Sequence, residues 1–108
     1  VQAENTVTNE YLSAIPIRER LKQRLTQLWN FPKSSAPFKG GKNYFVFTND
    51  GLQNQFVLNI IRNLKDKPIP LLDPNTLSKE GTINISGPSV SNDGSFLAYS
   101  RKCDHEKI

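Results

Sequence analysis

The sequence has few of the residues that carry covalent or metal chemistry. Among its 108 residues there is one cysteine, one histidine and no methionine. Because Cys103 stands alone, no disulfide can form within the chain, which fits a reducing compartment without requiring one. His105 lies in a charged tail, so a self-contained serine–histidine–acid triad is not expected. A disulfide-stapled domain and a complete hydrolase site are therefore excluded.

Long apolar runs are also missing. No stretch approaches the ~20 apolar residues of a membrane span, and the polar, acidic start Val1–Asn5 does not read as a signal peptide. The lack of an initiator Met leaves a processed or truncated N-terminus open. A net charge of +4 is too small to indicate nucleic-acid binding by itself. We expect neither a membrane nor a nucleic acid as partner; a cytoplasmic location is favoured, with a bacterial periplasm as the alternative.

The hydrophobic share of 36% is low for a self-sufficient core, whereas 22% charged residues is ordinary for a folded chain. The first third carries a helical pattern. Residues 1–13 read as a weak helix, and Pro16 suits the first turn of a second one. Pro32 disfavours helical geometry at Phe31, which predicts an end near Asn30. Within that helix, spacings of four, four and three define one apolar stripe: Ile17, Leu21, Leu25 and Leu28.

After Pro32 the pattern changes to short strands separated by turn residues. A linker or loop is predicted for residues 33–42. The segment Asn49-Asp50-Gly51 predicts a hairpin, because Asp-Gly favours backbone with positive φ. Pro68 and Pro70 make the third strand edge-like. The predicted strands cover residues 44–47, 55–62, 69–72, 82–86 and 96–100. Such spacing indicates an all-β sandwich, barrel or propeller.

The segment Ser91–Ser100 joins a tight polar turn to a short strand, which is typical of a repeat unit. A propeller blade takes about 40–50 residues, and a ring needs about 4–8 blades. Residues 33–108 hold at most two blades. The sequence therefore predicts helices followed by an all-β region that is part of something larger.

Three segments superficially resemble chemical motifs. Gly87–Ser91 is similar to a nucleophile elbow, but the elbow needs glycine where Ser91 stands. Cys103–Glu106 holds potential zinc ligands, but they are crowded in sequence and no second pair exists. Lys39–Phe47 is similar to an RNA-recognition strand, although Gly41 stands where an aromatic residue belongs. We interpret the first segment as solvated loop residues and the second as a surface tail. The aromatic residues of the third are interpreted as buried in a sheet.

Two features of the second helix have ordinary explanations. Its basic residues are best interpreted as a solvated helix face: Arg18, Arg20, Lys22 and Arg24. Trp29 and Phe31 are interpreted as core or interface anchors rather than a ligand platform. We expect Trp29 and the apolar stripe to bury against partner surface that lies outside this chain.

Five segments, in order, resemble the N-terminal region of the prolyl oligopeptidase family: Pro16–Lys33, Ala36–Phe45, Asn49–Gln55, Val57-Leu58 and Leu72–Thr82. The turn and strand at Ser91–Ser100 are similar to those of the family's propeller. The resemblance implies a serine peptidase that cleaves short peptides after proline. In that architecture an α/β-hydrolase domain carries a Ser-Asp-His triad. A seven-bladed propeller covers it and excludes large proteins.

On this resemblance, residues 1–32 are expected to be a helical segment packing on the hydrolase domain, and residues 33–108 to begin the propeller. The implied partners are proline-containing short peptides, the rest of the propeller and the hydrolase domain. No catalytic, substrate-binding, cofactor or metal residue of the family falls at these positions, so none is assigned. Relatives that cleave after basic residues or cyclise peptides share the architecture.

The tail departs from the family. After Ser100 the family continues with a Gly/Ser-rich loop and a Gly-Ser-Asp-Trp word, whereas this chain has Arg101–Ile108, with His105 replacing the tryptophan. Two alternatives to the peptidase stay open. One is a non-enzymatic propeller that binds proteins or peptides, and the other is an autonomous small β domain.

Overall fold

The computed structural model describes residues 1–103, leaving aside the side chain of Cys103. The chain divides into two compact units between Phe31 and Pro32. The first unit holds helix α1, Gln2–Ser13, and helix α2, Arg18–Trp29. Both helices were predicted from the sequence. None of the described helices is long and apolar enough to cross a membrane.

Helix α2 ends close to the predicted position, but it begins at Arg18 with Ile17 as its N-cap residue, so Pro16 lies just before the helix and not in its first turn as expected. Glu19 lies in the first turn, where a negative charge interacts favourably with the helix dipole. Asn30 leaves helical backbone with φ −80° and ψ 75°, and Pro32 follows. Neither α1 nor α2 contains a buried residue. The helical unit therefore has no buried core of its own.

The second unit contains a five-stranded antiparallel sheet. Its strands are β1 Lys33–Ser34, β2 Phe38–Gly40, β3 Asn43–Asn49, β4 Val57–Ile61 and β5 Ile69–Leu72. Strand β3 pairs with β4 on one side and with both short strands, β1 and β2, on the other. Strand β5 pairs with β4 at the edge, as its two prolines predicted.

The prediction of a loop over residues 33–42 was wrong, because this segment supplies β1 and β2. Lys33 and Ser34 pair with the end of β3, and Phe38 to Gly40 pair with its beginning. The intervening residues remain attached to β3, since the Ser35 amide donates to the Phe47 carbonyl over 2.9 Å. Tertiary pairing therefore overrides the turn-like composition of this segment.

A hairpin of β6, Ile83–Val90, and β7, Leu97–Cys103, forms a second sheet. Both strands are longer than predicted. The register of the pair shifts between Ser86 and Ser89, around Gly87 with φ +59°. A 3₁₀ turn, Pro74–Thr76, precedes this sheet. The bulge allows β6 to continue past Gly87 and Pro88, which otherwise read as a strand end.

The core of the second unit is small. Its buried apolar residues are Phe45, Val46, Val57, Leu58 and Ile83. Phe38 and Phe45 stack with ring centroids 5.4 Å apart. The β2–β3 turn lies against the β6–β7 hairpin. A Cβ on Gly40 would lie 2.6 Å from that of Val90, and one on Gly41 would lie 2.6 Å from the Gly94 Cα. Consecutive antiparallel strands in one sheet, followed by a hairpin packed against it, are the arrangement of successive propeller blades.

Candidate functional site

The loop between β3 and β4 is built around the buried side chain of Asn49, which is 5% exposed. Its Oδ1 accepts from the Gly51 amide over 2.8 Å, and its Nδ2 donates to the Gln53 carbonyl over 2.8 Å. The Asp50 amide donates to Gln53 Oε1, and Lys33 Nζ donates to the Gly51 carbonyl over 2.8 Å. The loop is therefore held by side chains, and it is longer than the tight hairpin that Asp-Gly predicted. Gly51, with φ 146°, alone has the positive φ expected of that pair.

A second cluster fixes the other end of this loop. Asn75 Oδ1 accepts from the Gln55 amide over 2.9 Å, and Asn75 Nδ2 donates to the Gln55 carbonyl over 3.0 Å. Asp73 Oδ1 accepts from both the amide and the side chain of Asn75, over 2.9 Å each. Gln55 Nε2 donates to the Gly81 carbonyl over 2.9 Å. We call this set, Gln55, Asp73, Asn75 and Gly81, the loop clamp. Its residues lie within two of the segments that resemble the family, Asn49–Gln55 and Leu72–Thr82.

A polar depression of about 450 Å³ lies beside the loop. Lys33, Thr48, Asn49, Asp50 and Asn59 are among the residues that line it. Asn59 is 4% exposed and its Nδ2 donates to Thr48 Oγ1 over 2.7 Å and to the Val57 carbonyl over 3.0 Å. These groups hold the sheet end together, and they include no nucleophile beside a base. Sequence reasoning missed Asn59, although an asparagine within the apolar run Val57–Ile61 was the available signal.

The turn at Ser91–Phe96 is organised by Asp93. Asp93 Oδ1 accepts from the Ser91 hydroxyl over 2.6 Å and from the Ser95 amide over 3.1 Å, and Asp93 Oδ2 accepts from the Ser95 hydroxyl. The Ser91 hydroxyl in turn accepts from the Phe96 amide over 2.9 Å. The hydrogen bond from Ser91, followed by those from Ser95, lowers the pKa of Asp93 to about 2. The Asp93 carboxylate therefore stabilises the turn that connects β6 to β7.

The structure gives no support to the elbow-like and RNA-like segments. Ser89 lies in β6 opposite Ala98, rather than on a sharp turn into a helix. Phe45, in the RNA-like segment, is buried against Phe38, which confirms the interpretation of this aromatic as part of the sheet. Asp104–Glu106 lie outside the described residues. Within residues 1–103, no group of three potential metal ligands comes together.

The apolar stripe along α2 is exposed in the helical unit. Its members Ile17, Leu21, Leu25 and Leu28 are between 51% and 65% exposed. The basic residues of α2 are exposed as well. The rings of Trp29 and Phe31 lie edge to face, with centroids 6.2 Å apart. Burial of Trp29 and the stripe against further protein stays a prediction.

Two helices followed by a blade-like sheet and the hairpin of a second sheet define a segment of a β-propeller protein. The family described as "Prolyl oligopeptidase, N-terminal beta-propeller domain" matches residues 1–104. The chain belongs to this family.

Individual relatives agree with this assignment. The chain is 43% identical over 100 residues, 93% of its length, to a protein named "Prolyl endopeptidase" from Elizabethkingia meningoseptica. A solved prolyl endopeptidase, from a comparison of two such enzymes, superposes with a TM-score of 0.88 at 28% identity over 96% of this chain. Prolyl oligopeptidase B from Galerina marginata, bound to a 35mer hydrolysis and macrocyclization substrate, gives 0.77 at 25% identity over 89% of this chain. The chain spans 14% of the first relative and 15% of each solved chain.

Proposed function

We propose that this chain is the N-terminal part of a serine endopeptidase that cleaves short peptides after proline. The observation that carries the proposal is the 43% identity over 93% of the chain to a protein named prolyl endopeptidase. The similar segments include the loop clamp, whose spacing is specific because each side chain bonds a particular backbone group. The described residues contain no serine–histidine pair, so the chemistry is assigned to sequence beyond Ile108.

In the proposed protein, residues 1–32 pack on an α/β-hydrolase domain and residues 33–108 begin a seven-bladed propeller. Two features support this division. The helical unit buries none of its helix residues, so its apolar stripe calls for a covering surface. The second unit holds one sheet of blade size and a two-stranded hairpin, whereas a closed ring needs about 4–8 blades.

The proposed role of this segment is to support the hydrolase domain and to begin the propeller that controls access to the active site. A ring of blades placed over a nucleophile admits the end of a short peptide and blocks a folded protein, so it selects substrates by size. The close contact of Gly40 and Gly41 with the β6–β7 hairpin favours a gate made of firmly packed neighbouring blades. Proline-containing short peptides are the proposed substrates, and the remaining blades and the hydrolase domain are the proposed partners.

The test uses the protein expressed from its complete reading frame. A peptide with proline before a chromogenic leaving group should be cleaved, and a serine-directed phosphonate should abolish the activity. A matched peptide with lysine in place of proline should be cleaved much more slowly. The same proline-containing sequence placed in an exposed loop of a folded protein should resist cleavage. Serine-dependent cleavage after lysine rather than proline would contradict the proposed specificity, and an inert protein without a reactive serine would favour the non-enzymatic propeller.

A further inference from the structure

The apolar stripe of α2 needs a cover for the helix itself to be stable. Helix α2 has 12 residues, and isolated helices of that length are marginal in water because nucleation is unfavourable. Helices in proteins owe most of their stability to packing of an apolar face. Here all four members of the stripe are more than half exposed. A surface that covers them is therefore required by the energetics of α2.

Positive charges border this stripe on both sides. At about 100° per residue, Arg18 and Lys22 follow one border and Arg24 follows the other. Arg18 and Lys22 also line an open groove of about 440 Å³ together with Leu21 and Leu25. Within residues 1–103, none of the three cations has an ion-pair partner.

The far face of α2 has a different character. Gln23 lies nearly opposite the centre of the stripe, and Glu19, which is the acidic residue of α2, also lies on that side. The border of the stripe therefore carries only positive charge. Charges at the rim of an interface set orientation and partner choice, since like charges placed together are unfavourable.

We propose that the stripe of α2 docks on an apolar surface bordered by carboxylates, in the part of the same polypeptide beyond Ile108. The inference rests on the proposed function, in which further domains follow this chain, and it adds the chemistry of the surface that receives α2. Relatives about seven times as long leave ample chain for such a surface. A second copy of α2 fits poorly, because cationic borders would meet cationic borders. Carboxylates facing Arg18, Lys22 and Arg24 would fix the register of the helix.

The experiment is carbodiimide cross-linking of the full-length protein, read by mass spectrometry. A carbodiimide joins a lysine amine to a carboxylate when the two are in direct contact. Native Lys22 reports on one border, and Arg18→Lys and Arg24→Lys place a lysine on each border while keeping the charge. Gln23→Lys is the matched control, because it adds a lysine on the opposite face of the same helix. We expect border lysines to link to acidic residues beyond Ile108, with yields several-fold above those of Gln23→Lys.

Three results would overturn the proposal. One is a yield at the borders no greater than that of the control. Another is linkage between two molecules, which would assign the stripe to a second copy. The third is an absence of intramolecular links from the border lysines while the protein binds phosphatidylserine vesicles, which would assign the stripe to an anionic lipid surface. Cleavage after proline is measured on the same preparation. An active enzyme without border links refutes the docking alone, and border links in an inactive protein refute the proposed function alone.

Discussion

Replacing Gly41 by alanine should loosen the contact between the β2–β3 turn and the β6–β7 hairpin. Gly41 has φ +59°, and an added Cβ would lie 2.6 Å from the Gly94 Cα and 2.8 Å from the Gly94 nitrogen. Both are backbone atoms, which cannot rotate away as the end of a side chain would. One of the two turns must therefore move.

Two terms set the magnitude of this change. An L-residue in left-handed backbone costs roughly 1–2 kcal/mol, and overpacking of a close contact costs about 1–3 kcal/mol. Gly41→Ala should therefore lower the free energy of unfolding by about 2–5 kcal/mol. Gly87 is a matched control, because it has the same φ of +59° but no atom within 4 Å of an added Cβ. Gly87→Ala should cost only the backbone term, about 1–2 kcal/mol.

The assay compares both variants in the full-length protein by urea unfolding and by hydrogen exchange. Exchange of the Ser91 and Gly94 amides is the local reading, since they bond to the Phe96 and Ser91 carbonyls within the hairpin turn. Gly41→Ala should speed their exchange much more than Gly87→Ala does. Equal destabilisation by the two variants would refute the argument that the turns are in backbone contact.

Three further predictions concern polar side chains, each checked by unfolding of the full-length protein. Asn75→Ala leaves the amide and carbonyl of Gln55 without their partners and should cost about 1–3 kcal/mol; an unchanged midpoint would contradict the loop clamp. Asn59→Asp places a carboxylate among backbone carbonyls in a buried site and should cost more than Asn59→Ala. The hydrogen bond from Ser91 above all lowers the pKa of Asp93 from 3.8 to about 2. Ionised Asp93 therefore stabilises the turn above pH 3.8, and this stabilisation is lost as the pH falls through about 2. Asp93→Asn should flatten the pH dependence in that window, and an unaltered slope would refute the assignment.

The helices and most strands could be predicted because their signals are local. Pro16 and Pro32 bracket α2, and aromatic and β-branched composition marks β3 and β4. The position of β5 at the edge of the sheet could be predicted from Pro68 and Pro70, which lack a backbone N–H. These features depend on residues adjacent in sequence.

What sequence reasoning missed depends on distant partners. Strands β1 and β2 form because they pair with β3. The turn-like residues Ser34, Ser35 and Pro37 give no local signal of that pairing. Strand β6 continues through Gly87 because β7 pairs across the bulge. The roles of Asn49 and Asn75 could not be foreseen either, since each side chain bonds backbone that only the folded chain brings near. The acidic surface proposed to receive α2 could be argued only from the exposure of the apolar stripe, which the structure shows.

The position of cleavage in a matched pair of peptides tests most directly the claim that this chain is part of a peptidase that cleaves after proline. The two peptides are of the same short length and differ only by alanine in place of a single proline, and the full-length protein is incubated with each. Mass spectrometry of the products should show cleavage after the proline in one peptide and an intact alanine variant. Equal cleavage of the two peptides, or an intact proline peptide in the presence of folded protein, would contradict the assignment of this chain to a proline-specific peptidase.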